Sequence, residues 1–116
     1  PFCDAQTLGA TRAGVQLESS TDIIQGANTN GWSISNLDSY RTQMVAAKVV
    51  DTRTAEVTAC NEDGLVVSGR GGETISDRFS SNLTVWTFEL VDGSWKATTG
   101  LETDRAIGED SSLCDF

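Results

Sequence analysis

Residues 83–99 read LTVWTFELVDGSWKATT, and the reading of this run decides the fold. Val85, Thr87, Glu89 and Val91 alternate with Trp86, Phe88 and Leu90. Beyond Asp92-Gly93, Trp95 and Ala97 alternate with Lys96 and Thr98. Alternation with period two marks a strand with two unlike faces. Asp-Gly between two such runs marks a hairpin, because both turn residues reach positive φ at low cost.

Working back from the hairpin, Tyr40 to Val50 reads as a long strand. Tyr40, Thr42, Met44, Ala46 and Lys48 fall on one side, and Val45, Ala47 and Val49 on the other. Thr54 to Cys60 is its return partner across the turn Asp51-Thr52-Arg53, with Ala55, Val57 and Ala59 inward. Asn61 to Gly64 reads as a turn or bulge, after which Leu65-Val66-Val67 resumes the pairing, and residues 74–81 are ambiguous. Gly64 and Gly72 are expected to mark bulges that bend the sheet. Upstream, Ala13, Leu17, Ile24 and Ala27 share one helical stripe, with Ile23 beside it. Thr11 is the expected N-cap and Gly31 the stop. The Ser19-Ser20-Thr21 run weakens this helix near its middle.

The expected class is therefore α+β: one N-terminal helix, over 11–28, packed on a curved antiparallel sheet of four to five strands. Its 116 residues suffice for a single domain, 1–116, with 1–10 as an N-terminal segment, in which Asp4 is a candidate cap for a short helical turn, and 103–116 as an acidic C-terminal tail.

Seventeen acidic against eight basic residues give a net charge of −9. Such a surface repels phosphate, which disfavours nucleic acid and anionic membranes as partners. No apolar run reaches the length of about 18 residues that a membrane helix needs. The chain opens on Pro1 rather than Met, the start expected of a processed or trimmed chain from which a secretion signal has been cut.

Cysteines stand at 3, 60 and 114, with no zinc-type spacing and no histidine anywhere. Cys60 sits in an expected strand and Cys114 in a tail that needs anchoring, so a Cys60–Cys114 disulfide is expected, and with it an extracellular or cell-envelope location. Cys3–Cys114 is the rival pairing, and three reduced thiols are the bland alternative.

The search for chemistry is mostly one of exclusion. Without histidine there is no Ser-His-Asp triad, no Cys-His pair and no imidazole metal ligand. Gly69, Gly71 and Gly72 around Arg70 lack the Gly-Lys-Ser/Thr of a phosphate loop and read as a flexible hairpin loop. Asn61 to Gly64 opens with Asn where a calcium loop has a carboxylate, and the twelfth position from Asn61 is Gly72, where a bidentate Glu is needed, so the run reads as a turn. Asn82-Leu83-Thr84 is a glycosylation sequon, of consequence only in a eukaryotic secretory pathway. Neither a cofactor nor a metal is expected.

Taken together, the runs 54–60 and 63–67, the Gly72-Glu73 loop, Trp86 and the run 90–96 (LVDGSWK) resemble the NTF2-like (SnoaL-like, cystatin-like cone) superfamily. More narrowly they resemble its secreted or lipid-anchored actinobacterial members, which carry a cysteine in the equivalent strand and another near the end. The resemblance spans roughly 11–114. It implies a cone closed by a long N-terminal helix, for which this chain starts too late: either it is a fragment, or another chain supplies the missing packing, or the domain is a reduced variant, and in the last two cases an apolar surface is left open. The implied apolar opening points to a non-enzymatic interaction domain with a protein partner or a homo-oligomer. A second expectation is a carrier of a small apolar ligand, with Trp32, Tyr40, Trp86 and Trp95 as pocket candidates. A third is an isomerase- or cyclase-like enzyme using Asp38 and Tyr40, since enzymes of that superfamily work through carboxylates and a tyrosine.

Overall fold

The computed structural model describes residues 5–116. A 3-10 turn over Ala5–Ala10 leads into helix α1 (Gly14–Asn30). The strands are β1 (Ser33–Ser35), β2 (Arg41–Asp51), β3 (Thr54–Asp63), β4 (Val66–Ser68), β5 (Thr74–Ser76), β6 (Ser80–Val91) and β7 (Ser94–Ile107). They form two antiparallel sheets: a four-stranded meander in the order β2-β3-β6-β7, and a small sheet in the order β1-β4-β5. The class is α+β with one helix, as the sequence indicates, but the strands divide between two sheets. Leu65-Val66-Val67 does not resume the main ladder. Val66 and Val67 leave it after Gly64 to pair with Ser35 and Ile34.

The central hairpin forms as read, with Leu90 opposite Trp95 and Val91 opposite Ser94. Asp92 at φ 50° and Gly93 at φ 80° both lie in the left-handed region that a tight primed turn requires. β7 continues to Ile107, so the segment from Thr103 that reads as tail is largely strand, and the tail proper is residues 108–116. Leu83 to Asp104 and Asn82 to Arg105 are paired across the two strands, and these polar residues join the sheet because β6 offers them a backbone ladder.

Helix α1 starts at Gly14, not at Thr11. The backbone of Thr11 and Ala13 is committed elsewhere: the Ala97 N–H donates to the Thr11 carbonyl and the Ala13 N–H to the Ala97 carbonyl, each at 2.9 Å. Ala13 is extended and provides no side-chain cap. The helix ends where the glycine signal places it. Gly31 is left-handed, its N–H donates to the Asn28 carbonyl and that of Trp32 to the Ala27 carbonyl, a Schellman pattern. The Ser-Ser-Thr stretch does not break it. Ile24 and Ala27 are buried, Leu17 is half-buried, and Ile23 faces solvent. α1 packs mainly against β7, so it covers one end of the sheet rather than lying across it.

The glycine-rich loop after β4 is not free. Gly69 N–H donates to the Glu73 carbonyl, and Arg70 donates to the Thr29 carbonyl in the last turn of α1 at 3.2 Å. A cation at a helix C-terminus favours the negative end of its dipole. The bulges fall neither at Gly64 nor at Gly72. In the β2–β3 ladder they fall between Met44 and Ala46 and between Val49 and Asp51. The first reverses the parity of β2. Thr42 and Met44 share a face with Ala59, and beyond the extra residue Val45 it is Ala47 and Val49 that join them.

The two faces of the meander are closed very differently. One carries the C-terminal tail. Cys60 and Cys114 are joined in a disulfide, which settles the pairing against Cys3–Cys114; Cys3 and Asp4 lie outside the described residues. Around it Ser112 and Arg41 both donate to the buried Glu62 carboxylate, Leu113 N–H donates to Ser81 Oγ, and the Arg41 guanidinium lies 4.3 Å from the Phe116 ring centre. Asp115 and the Gln43 side chain exchange two hydrogen bonds.

Two outcomes test this clasp. Cys60–Cys114 closes a loop of 54 residues, so Cys114→Ser is expected to lower the free energy of unfolding by about 4 kcal/mol at most on a chain-entropy account, read by urea denaturation. The Ser112 hydroxyl, ahead of Arg41, holds the Glu62 carboxyl below its ordinary value of 4.5, against burial that acts the other way. A carboxyl depressed in the folded state stabilises fully above its unfolded value and loses that effect as pH falls through the folded one. Urea midpoints measured from pH 5 downward should therefore fall less steeply in Glu62→Gln than in the parent chain.

Candidate functional site

The opposite face of the meander holds a cavity of about 300 Å³. Its wall is built from alternate residues of four strands: Thr42 and Met44 of β2, Val57 and Ala59 of β3, Trp86 and Phe88 of β6, and Ala97 of β7. The register explains the convergence. Met44 pairs with Ala59, Val57 with Trp86, and Phe88 with Ala97, so these side chains project from one pleated surface. Thr11 and Arg12 complete the lining from the segment stapled to Ala97.

Trp86 dominates the wall because β7 makes room for it. Trp86 stands opposite Gly100, and a Cβ at position 100 would come within 2.6 Å of the indole ring. The ring therefore lies close over the backbone of β7. At one end of the cavity the surface turns polar. Thr42 Oγ1 donates to Asn61 Oδ1 at 2.8 Å, Asn61 Nδ2 to Asn82 Oδ1 at 3.0 Å, and Thr84 Oγ1 to Asn82 Oδ1 at 2.9 Å. This ladder ties β2, β3 and β6 together. It also gives the sequon a structural role, since the Asn82 carboxamide is engaged within the sheet.

Of the four aromatic pocket candidates, only Trp86 lines this cavity. Trp95 lies beyond Phe88 near the hairpin turn and is 47% exposed. Trp32 is half-buried just past the helix cap, and Tyr40 precedes β2 at 50% exposure. Asp38, in the short 3-10 turn Leu37–Ser39, is exposed as well. Neither member of the Asp38–Tyr40 pair reaches the cavity, so they do not form the buried acid–tyrosine arrangement an isomerase needs. Asp38 instead borders a separate polar cleft with Arg41, Glu62 and Asp77. Among the described residues no cluster of three or more His, Cys, Asp or Glu side chains has a metal-binding arrangement, and no helix is long and apolar enough to cross a membrane.

Sequence reasoning missed Arg12 and Met44. Arg12 was hidden inside the expected first turn of the helix, although Gly14, left-handed at φ 56°, marks the point where the chain changes direction. Met44 was assigned to a face without knowledge of the bulge beside it.

No family model matches the chain, and no curated protein matches it. Among solved structures, the crystal structure of the intermembrane space region of the chloroplast protein ARC6 is similar, with a TM-score of 0.72 at 19% identity. The match covers 84% of this chain and 76% of that one, and at this identity it is a likeness of fold.

The packing of Trp86 on Gly100 yields a direct test. Gly100→Val should push the indole off β7 into the cavity. The Trp86 indole N–H resonance should shift while far-UV circular dichroism shows the sheet retained; an unmoved resonance would mean the ring does not rest on position 100.

Proposed function

We propose that this chain is a non-enzymatic interaction domain whose cavity face and β2 edge are covered by a protein partner or by another copy of itself. One observation carries the reading: too much surface is left open. The folded chain of 12.4 kDa exposes 7417 Å². A compact monomer of that mass exposes roughly 6,100 Å². The excess, about 1,300 Å², is larger than the roughly 800 Å² each partner buries in a standard interface.

The excess has an address. β2 is an outer strand of the meander, and its apolar residues are exposed on both faces, with Met44 at 68% and Val49 at 78% on the cavity face and Ala46 exposed on the other. Long apolar edges are where another chain adds. Buried apolar residues among those described are few and mostly small: Ile24, Ala27, Ala59, Cys60 and Ala97. The disulfide supports an extracytoplasmic setting.

A second reading is favoured by the cavity itself. Its volume stands at the lower end of the range of about 300–1,000 Å³ typical of small-molecule sites, and its wall is mainly apolar. A small apolar ligand held against Trp86, Phe88, Val57 and Met44 fits that geometry.

Light scattering on the disulfide-bonded chain tests the first reading. The expected result is a mass above that of one chain, returned to the single-chain value by Val49→Lys with the circular dichroism unchanged. A strict monomer at the highest soluble concentration that also fails to bind an apolar dye would overturn it.

A further inference from the structure

We infer that the cavity takes an amphipathic carboxylate, with an apolar body against Trp86, Phe88, Val57 and Met44 and its anionic head on Arg12. The inference rests on the ligand reading above and specifies the chemistry of that ligand.

Among the described residues Arg12 is the one charged member of the lining, whose other polar members are Thr11 and Thr42. Its backbone is held in place. Arg12 forms a bridge with Ala97, flanked by the two main-chain hydrogen bonds that join Thr11 and Ala13 to Ala97. The side chain is half-buried, and its guanidinium donates to the neighbouring Thr11 hydroxyl at 3.3 Å. Among the described residues no carboxylate lies within ion-pair distance of it: the ion pairs there are Arg41–Glu62 and Arg105–Glu102. An arginine fork in a partly apolar site, with donors to spare, is matched by a carboxylate that accepts two hydrogen bonds in one plane.

The rest of the molecule sharpens this preference. With a net charge of −9 the protein repels anions in general, so a cationic residue in the lining of an apolar hollow is a local exception. A neutral hydrocarbon would cover the apolar wall without supplying an acceptor to Arg12. A cationic amphiphile would add like-charge repulsion. Size narrows the class further. About 300 Å³ holds on the order of ten non-hydrogen groups if each takes about 30 Å³, the share of a water molecule in the liquid. One medium-length chain fits, and a two-chain lipid does not.

The experiment titrates the full disulfide-bonded chain with decanoate and, separately, with decanol, followed by the Trp86 indole resonance and by native mass spectrometry for stoichiometry. The inference expects one decanoate per chain, bound at least ten-fold more tightly than decanol. Arg12→Gln should abolish that difference, and Arg12→Lys should restore part of it. Val57→Trp, which fills the hollow, should abolish binding of both. Equal one-to-one binding of decanol and decanoate would overturn the carboxylate inference while leaving the apolar cavity as a ligand site. Failure of both to move the Trp86 resonance, or uptake of many molecules indifferent to Arg12, would overturn the ligand reading as well.

Discussion

The four-stranded meander is closed on one face and open on the other, and this asymmetry governs the rest of the structure. A sheet of four long strands presents two broad surfaces, each of which must be covered or left to water. The C-terminal tail covers one through the Cys60–Cys114 bond and the groups gathered on Glu62. On the other, α1 reaches mainly β7, and the half built from β2 and β3 is left to the cavity. The molecule is correspondingly flat, with a shortest extent of 20 Å, about one sheet and one helix deep.

An open face removes the usual device for fixing strand register. In a two-sided core, a slip by one residue expels every apolar side chain into water and is heavily penalised. Where Met44 and Val49 are exposed in either case, that penalty is small. The structure relies on directional contacts in its place. The Thr42–Asn61–Asn82–Thr84 ladder crosses three strands on the cavity face, and on the tail face the disulfide fixes Cys60. A hydrogen bond contributes only about 1 kcal/mol net, but it is lost outright on a slip, so a ladder of them specifies alignment better than it stabilises.

What could be read in the sequence follows the same division. The hairpin at Asp92-Gly93, the helix stop at Gly31 and the inward set Ala55, Val57 and Ala59 are local signals, each written in a few adjacent residues. The Cys60–Cys114 pairing was readable because a strand and a loose end offered themselves as partners. The bulge at Val45 was not, because the run MVAAKVV is apolar throughout and contains no glycine to mark an extra residue. The departure of Val66 and Val67 to a second sheet depends on a partner, Ile34, more than thirty residues away. All four candidate site residues stand out as aromatics rather than by register, and of them only Trp86 lines the cavity.

Arg12 shows why the site was harder to read than the fold. Its place is set by neither period nor propensity. The two hydrogen bonds that fix it go to Ala97, a residue with no side-chain chemistry, on the last strand of the meander. The position of the charge at the cavity thus depends on a residue 85 positions away in sequence. The same bonds occupy both backbone groups of Ala97, which closes that stretch of the β7 edge to another strand. Among the described residues no comparable segment covers β2, at the opposite end of the sheet, along Val45 to Val50. The N-terminal segment thus does two things at once: it supplies the one charge on an apolar wall, and it directs any strand addition to the far side of the molecule.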